Sequence, residues 1–303
     1  MNKIGIYYAY WTQNWGADYV PFVEKARSLG FDILEVDSVA HLPDAERNRL
    51  KDATRRAGIE LTFSTALTPE TDIAGEDAQA RRRGIAFLQD QARMLQEMGA
   101  KQLGGVLSGC WLGHMPAGQS DKRPFLDRSI ESMQEVMKVA EDCGVVLTVE
   151  VLNRFEQFLL NTAEEARQYV ERVGSPHCQI MLDTFHMNIE EDSLGNAFRI
   201  AGDRLGHVHI GETNRRVPGR GRVPWCEVFD TLCDLGYQGP IVMEPFVMAG
   251  GEVARDIGVW RDLSDGLDLD AEAARGLRFV REQLARAEQR GRSEGVPGDA
   301  QLP

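Results

Sequence analysis

Short apolar, β-branched runs recur along this chain, and each is followed by a longer stretch with helical periodicity. Eight such runs stand out: Ile4–Ala9, Ile33–Asp37, Leu61–Thr65, Gln102–Leu107, Val145–Glu150, Gln179–Asp183, Gly206–Ile210 and Ile241–Glu244. They start roughly 27 to 43 residues apart, the spacing of strand–helix units in an α/β fold. Between them, helices are expected at Pro21–Leu29, Asp44–Ala57, Ala78–Met98, Arg128–Cys143, Thr162–Val173 and Trp225–Leu235. Each of these ends at a glycine (Gly30, Gly58, Gly99, Gly144, Gly174 and Gly236), where a left-handed residue stops a helix. Strand–helix units repeated in this way give a parallel sheet with right-handed crossovers. Eight of them predict a closed barrel, a single (β/α)8 TIM barrel over residues 1–288, followed by a polar, flexible tail over 289–303. The alternative is an open doubly wound sheet. Against it, the first strand leads into Tyr10-Trp-Thr-Gln-Asn-Trp15, with none of the glycine spacing of a dinucleotide loop.

Composition narrows the partners. Hydrophobic residues make up 43% and charged residues 27% of the 303 positions, an ordinary globular balance. Forty-seven acidic against 34 basic side chains leave a net charge of −13. The richest basic run, Arg81-Arg82-Arg83, falls on a polar helical face. Nucleic acid is disfavoured as a partner, because that affinity rests on Lys and Arg neutralising phosphates. The five cysteines, Cys110, Cys143, Cys178, Cys226 and Cys233, include no C-x-x-C and read as reduced thiols. Neither a signal peptide nor a membrane-spanning run is legible, so a cytoplasmic protein without a membrane partner is expected.

In barrels of this kind, chemistry gathers at the C-terminal ends of the strands. The fifth strand stops at Glu150, the sixth at Asp183, the seventh carries His207 and His209, and the eighth ends at Glu244. Any one of these has a bland reading: a helix cap, a turn residue, or a histidine satisfied by a hydrogen bond. Four adjacent strands ending in this way together point to a metal centre. Two Glu, one Asp and one His form an oxygen-rich donor set suited to Mn2+, Mg2+ or Co2+. Without a cation the carboxylates would repel one another and raise each other's pKa. His207 and His209 face the same way along the strand. His209 lies nearer the mouth and is the expected ligand, with His207 either a deeper polar core residue or a support to the site from below. The following loops offer Asn153, Arg154 and Glu156, then His186, then Arg215, which could equally serve as loop-stabilising ion pairs.

Four longer motifs are more selective: Glu150-Val-Leu-Asn-Arg-Phe-Glu156, Leu182-Asp-Thr-Phe-His-Met-Asn-Ile-Glu-Glu191, Gly211-Glu-Thr-Asn-Arg-Arg216 and Val242-Met-Glu-Pro-Phe246. Through them, the chain resembles the ketose 3-epimerases that act on D-tagatose, D-psicose (D-allulose) and L-ribulose, within the xylose-isomerase-like barrels. The resemblance runs from Lys3 to the helix around Phe279. It implies one Mn2+-preferring site per subunit, with Co2+ or Mg2+ as substitutes, held by Glu150, Asp183, His209 and Glu244, and no organic cofactor. It also implies that Glu156, His186 and Arg215 bind the ketose around O1 to O3, with Tyr7, Trp15, Trp111 and Phe246 near its far end. Ser64 and the segment Val106-Leu-Ser-Gly-Cys110 depart from the family pattern in the region that tunes substrate preference. Homodimers or homotetramers are expected on the same grounds.

Such an enzyme removes the proton at C3 of a 2-ketose and returns one to the opposite face. A dication on O2 and O3 would stabilise the cis-enediolate, and two carboxylates on opposite sides would exchange the roles of base and acid. Glu150 and Glu244 are the expected pair. The nearest rival is an aldose–ketose isomerase on the same scaffold, moving a proton between C1 and C2. A metal-dependent endonuclease would want more histidines and a basic groove than six histidines and a charge of −13 provide. A non-catalytic sugar-binding protein would have no use for two bases.

Overall fold

Strands covered on both faces must be largely apolar, and these are, with Glu35, His207 and His209 among the buried polar exceptions. The computed structural model describes residues 2–294. Eight strands, β1 (Ile4–Tyr7), β2 (Ile33–Asp37), β3 (Glu60–Leu67), β4 (Gln102–Cys110), β5 (Val146–Val151), β6 (Cys178–Asp183), β7 (Leu205–Ile210) and β8 (Ile241–Met243), lie in chain order. Every neighbouring pair is parallel, and β8 returns to β1 through the pairing of Gly5 with Val242, closing the barrel. The expected (β/α)8 fold is therefore the observed one. An open sheet is excluded by that closing pair.

Among the described residues, ten α-helices accompany the strands: α1 (Val20–Ser28), α2 (Asp44–Ala57), α3 (Ala78–Met98), α4 (Arg123–Cys143), α5 (Ala163–Val173), α6 (Thr184–Glu190), α7 (Leu194–Ala201), α8 (Trp225–Asp234), α9 (Gly251–Ile257) and α10 (Leu269–Glu294). All six glycines expected at helix ends have positive φ. At Gly58, Gly99, Gly144 and Gly174 the glycine is itself the left-handed cap. The short α6, α7 and α9 were not expected, and α6 matters most, because it begins directly at the end of β6. The last helix runs past Gln289 to Glu294, into the segment expected to be a tail, with Ala287 buried and Arg290 donating to Asp230 at 3.0 Å. The barrel's last element thus extends beyond residue 288; positions 295–303 lie outside the described residues.

Two local features shape the mouth. The first strand is shorter than its apolar run, because the chain turns into a 3-10 segment at Tyr8–Trp11 that sends the Tyr8 hydroxyl to Asp37. Between β3 and β4 the register shifts after Ala66. Gly105 there has φ +115°, and a Cβ on it would stand 2.1 Å from the Thr65 carbonyl, so only glycine lets these strands approach. The segment 250–268 folds back on its own barrel: Val253 N–H donates to Gln13 and Leu263 N–H to Val247. Trp260 in that segment stays exposed. Among the described residues no helix is long and apolar enough to cross a membrane, and all five cysteines are free thiols.

Candidate metal centre and active site

The ends of β5, β6, β7 and β8 occupy one half of the barrel mouth. There Glu150, Asp183, His209 and Glu244 each offer a ligand atom, all within 4.8 Å of one another. Asp183 shows how a bland role and a functional one coexist. Its Oδ1 caps α6 by accepting the Phe185 N–H at 2.9 Å, while Oδ2 lies 3.5 Å from Arg215 and 3.8 Å from His186. That cap starts α6 at once, and the first turn of α6 returns His186 to the site.

His209 is wholly buried, and the roles of its two nitrogens are fixed from below. Its Nε2 is 2.5 Å from Oε1 of Glu35, a fully buried carboxylate in the middle of β2. Glu35 also accepts the Thr62 hydroxyl at 2.8 Å and lies 3.1 Å from His207 Nε2. Burial opposes its charge, but the two histidines outweigh that and hold the Glu35 carboxyl well below the usual range. An ionised carboxylate only accepts, so the proton belongs on His209 Nε2. Nδ1 is then free to offer its lone pair, 3.3 Å from Glu244 Oε1 and 4.0 Å from Glu150 Oε1, with no hydrogen-bond partner. A buried, unpartnered ring nitrogen facing carboxylates fits a divalent cation. Sequence reasoning named His207 as the supporting group but missed Glu35, which does the orienting. The signal was present: a glutamate inside an otherwise apolar buried strand must be paired.

The carboxylates show the strain of shared charge. Burial, and then the neighbouring Glu244, push Glu150 well above the ordinary carboxylate range. For His209 burial works against the charge, but Glu35 and Glu244 outweigh it and raise its pKa well above the usual histidine value. A dication would replace these protons as the source of positive charge.

Above this cluster lies a cavity of about 300 Å3, lined by Tyr7, Trp15, Ser64, Val106 and Trp111 together with Glu150, Glu156, His186, Arg215, Glu244 and Phe246. Every expected substrate-contacting residue is thus on its wall, while Asp183 and His209 are buried beneath it. Asp37 and Asp256 line it too, and neither was expected there.

Loop chemistry holds the polar wall. The turn after β5 is closed by Asn153, whose carbonyl accepts the Glu156 N–H at 3.0 Å and whose Oδ1 accepts that of Phe155 at 2.9 Å. Asn153 Nδ2 donates to Glu156 Oε1 at 3.1 Å and lies 2.7 Å from His186 Nδ1, which leaves His186 Nε2 directed at Glu150 and Asp183. Burial pushes Glu156 up, but His186, Arg215, Trp111 and Asn153 outweigh it, so it is held ionised. Burial keeps His186 below its ordinary pKa. Arg154, by contrast, is the plain ion pair that the bland reading offered, gripping Glu190 outside the cavity. The turn after β7 depends on Glu212, a buried carboxylate that accepts from Gly219 N–H, Val223 N–H and Trp225 Nε1. That turn holds Arg215 at φ +63°, an uncommon conformation for a side-chain-bearing residue. Its guanidinium stacks 3.6 Å from the Phe185 ring and reaches Glu244, Asp183 and Glu156 at 3.3 to 3.5 Å.

Residues 23–288 match the xylose isomerase-like TIM barrel family. The chain is 48% identical to the D-psicose 3-epimerase of Ruminiclostridium cellulolyticum over 92% of its own length and 97% of that protein. This chain belongs to the ketose 3-epimerases of the xylose isomerase-like TIM barrels. The D-psicose 3-epimerase of Agrobacterium fabrum is 43% identical over 92% of this chain and 98% of its own. Among solved structures, D-psicose 3-epimerase from Clostridium cellulolyticum H10 with D-tagatose superposes with a TM-score of 0.90. That match is 47% identical and covers 93% of this chain and 99% of that one.

Proposed function

We propose that this protein is a Mn2+-dependent enzyme that epimerises free ketoses at C3, of the D-fructose/D-psicose, D-tagatose/D-sorbose or L-ribulose/L-xylulose type. The observation that carries the reading is the convergence of Glu150, Asp183, His209 and Glu244 beneath a small cavity, with two of those carboxylates also forming its wall. The relatives named above are D-psicose 3-epimerases, which supports the same chemistry here. Co2+ or Mg2+ would suit the same oxygen-rich donors. The protein is expected to work as a homodimer or homotetramer in the cytoplasm.

A bound dication supplies Lewis-acid stabilisation of the negative charge that develops when C3 loses its proton. The chain's own residues do the rest. Glu150 and Glu244 take and return the proton, one on each side of the sugar. Arg215 presents its guanidinium to the carbonyl side. His186 donates through Nε2, and the ionised Glu156 accepts from the first hydroxyl. Phe246, Tyr7, Trp15 and Trp111 shield the reaction from water.

The test is to incubate EDTA-stripped protein with D-fructose, D-tagatose and L-ribulose in D2O, with and without Mn2+, and to read products by NMR. Manganese-dependent formation of the C3 epimer carrying deuterium at C3 is the expected result. Deuterium at C1 or C2 with an aldose product would transfer the case to an aldose–ketose isomerase.

A further inference from the structure

The four candidate ligands come from β5 to β8, so they crowd one half of the mouth. A ketose held there by O2 and O3 must extend its remaining carbons toward the half built by β1 to β4. That half carries Tyr7, Asp37, Ser64 and Val106. Asp37 is the unusual member. It closes β2, directly across the closed barrel from the end of β6, and its carboxylate sits in a cage of donors. Oδ2 accepts from the Tyr8 hydroxyl, and more distantly from the Tyr19 hydroxyl and the Gly16 N–H, both at 3.4 Å. Oδ1 accepts from the Tyr7 hydroxyl alone. A carboxylate oxygen can take two hydrogen bonds, so Oδ1 keeps one acceptor position on a residue that lines the cavity. Holding a carboxylate in a tyrosine cage at the edge of a sugar-sized cavity is costly if the loop merely needs bracing, since burial alone disfavours the charge.

We infer that Asp37, steadied by Tyr7, is a specificity residue that accepts a hydrogen bond from the terminal hydroxyl of the ketose, at the end remote from C1. The inference rests on the ketose epimerase reading above. It predicts discrimination by the end of the sugar, because a site that accepts a hydroxyl disfavours an analogue lacking it.

The experiment compares kcat/KM for D-fructose and 6-deoxy-D-fructose in the Mn2+-loaded wild type, Asp37→Ala and Tyr8→Phe. The wild type should prefer D-fructose by about ten- to a hundredfold, a range consistent with one charge-assisted hydrogen bond. Asp37→Ala should bring the ratio close to one, through a raised KM for D-fructose with kcat little changed. Tyr8→Phe loosens the cage on the Oδ2 side only and should keep the preference. If Asp37→Ala does not fold, Asp37→Asn keeps the volume, loses the charge, and should lower the ratio several-fold. Equal losses on both sugars, or the same collapse in Tyr8→Phe, would make Asp37 a brace for the loop and overturn the inference alone. A wild type that epimerises neither these sugars nor D-tagatose or L-ribulose would overturn the functional reading and the inference with it.

Discussion

Replacing Glu35 should weaken metal binding from a distance, without removing any ligand. Glu35 lies below the cluster, fully buried, and touches His209 Nε2, His207 Nε2 and the Thr62 hydroxyl. Its effect on the cluster passes through one proton. While Glu35 is ionised, that proton stays on His209 Nε2 and the Nδ1 lone pair faces Glu244 and Glu150. Outer partners of this kind are worth about 10- to 100-fold in metal affinity, or roughly 1.4–2.7 kcal/mol. Glu35→Gln keeps an acceptor for the imidazole N–H but loses the charge, which places it near the low end, at about tenfold weaker Mn2+ binding. Glu35→Ala leaves two imidazoles and a hydroxyl without their buried partner and should also destabilise the fold by about 3–5 kcal/mol.

The assay is titration of EDTA-stripped protein with Mn2+, following the electron paramagnetic resonance signal of the free aquo ion, with circular dichroism to confirm folding. The signature is weakened Mn2+ binding in a variant that melts cooperatively and keeps its barrel. Wild-type affinity in a folded Glu35→Gln and a folded Glu35→Ala would refute the reasoning, because it would mean that packing alone orients His209 or that His209 is no ligand.

At saturating Mn2+, Glu150→Gln and Glu244→Gln should each lower kcat by about 10^2- to 10^4-fold in the NMR epimerisation assay, and near-normal turnover by either would sink the two-base scheme. Stripping the metal should lower Tm, and restoring Mn2+ to a hundred times its Kd should return about 2.7 kcal/mol, or roughly 5 °C in a melting experiment. An unchanged Tm would argue against a cation in this cluster. The thiol of Cys178 is fully buried and pushed up to about 12 by burial, so it should stay silent to Ellman's reagent in the native state, while the exposed Cys226 reacts. Labelling of Cys178 before unfolding, read by mass spectrometry, would show that the barrel wall opens.

Where the chain was legible, a local signal coincided with the tertiary demand. Asp44–Ala57 and Ala78–Met98 were bounded correctly because an apolar face and a glycine stop agree there. Glu150, Asp183 and Glu244 were legible because each closes an apolar run, and His209 because it stands one residue short of the end of its own, where position along a strand translates directly into height in the barrel. Glu35 was passed over because it sits inside its run, where its partners come from β3 and β7 and leave no mark nearby in sequence. Asp37 obeys the same strand-end rule as the candidate ligands, but the expectation of a metal centre rested on β5 through β8 alone. Glu212 carried no signal at all: its three donors lie 7 to 13 residues downstream and meet it only once the turn has formed. The short α6 escaped because its cap, Asp183, reads first as the end of a strand.

The arrangement of charge explains why these parts occur together. Glu150, Glu156, Asp183 and Glu244 converge on one cavity, and the Arg215 guanidinium bridges three of them. Arginine cannot give up its proton, so this positive charge persists whatever the substrate does. It is held rigidly by the Phe185 stack and by a backbone conformation that a free loop would abandon. A carbonyl oxygen entering beside Arg215 would meet one fixed positive charge before any proton moves, and a dication held by Glu150, Asp183, His209 and Glu244 would supply a second. Preorganised charge of this kind stabilises an enediolate without costing reorganisation at the moment of reaction. A single cation could hold the sugar. Two, with a dication on the cluster beside Arg215, would meet what removal of a proton beside a carbonyl requires.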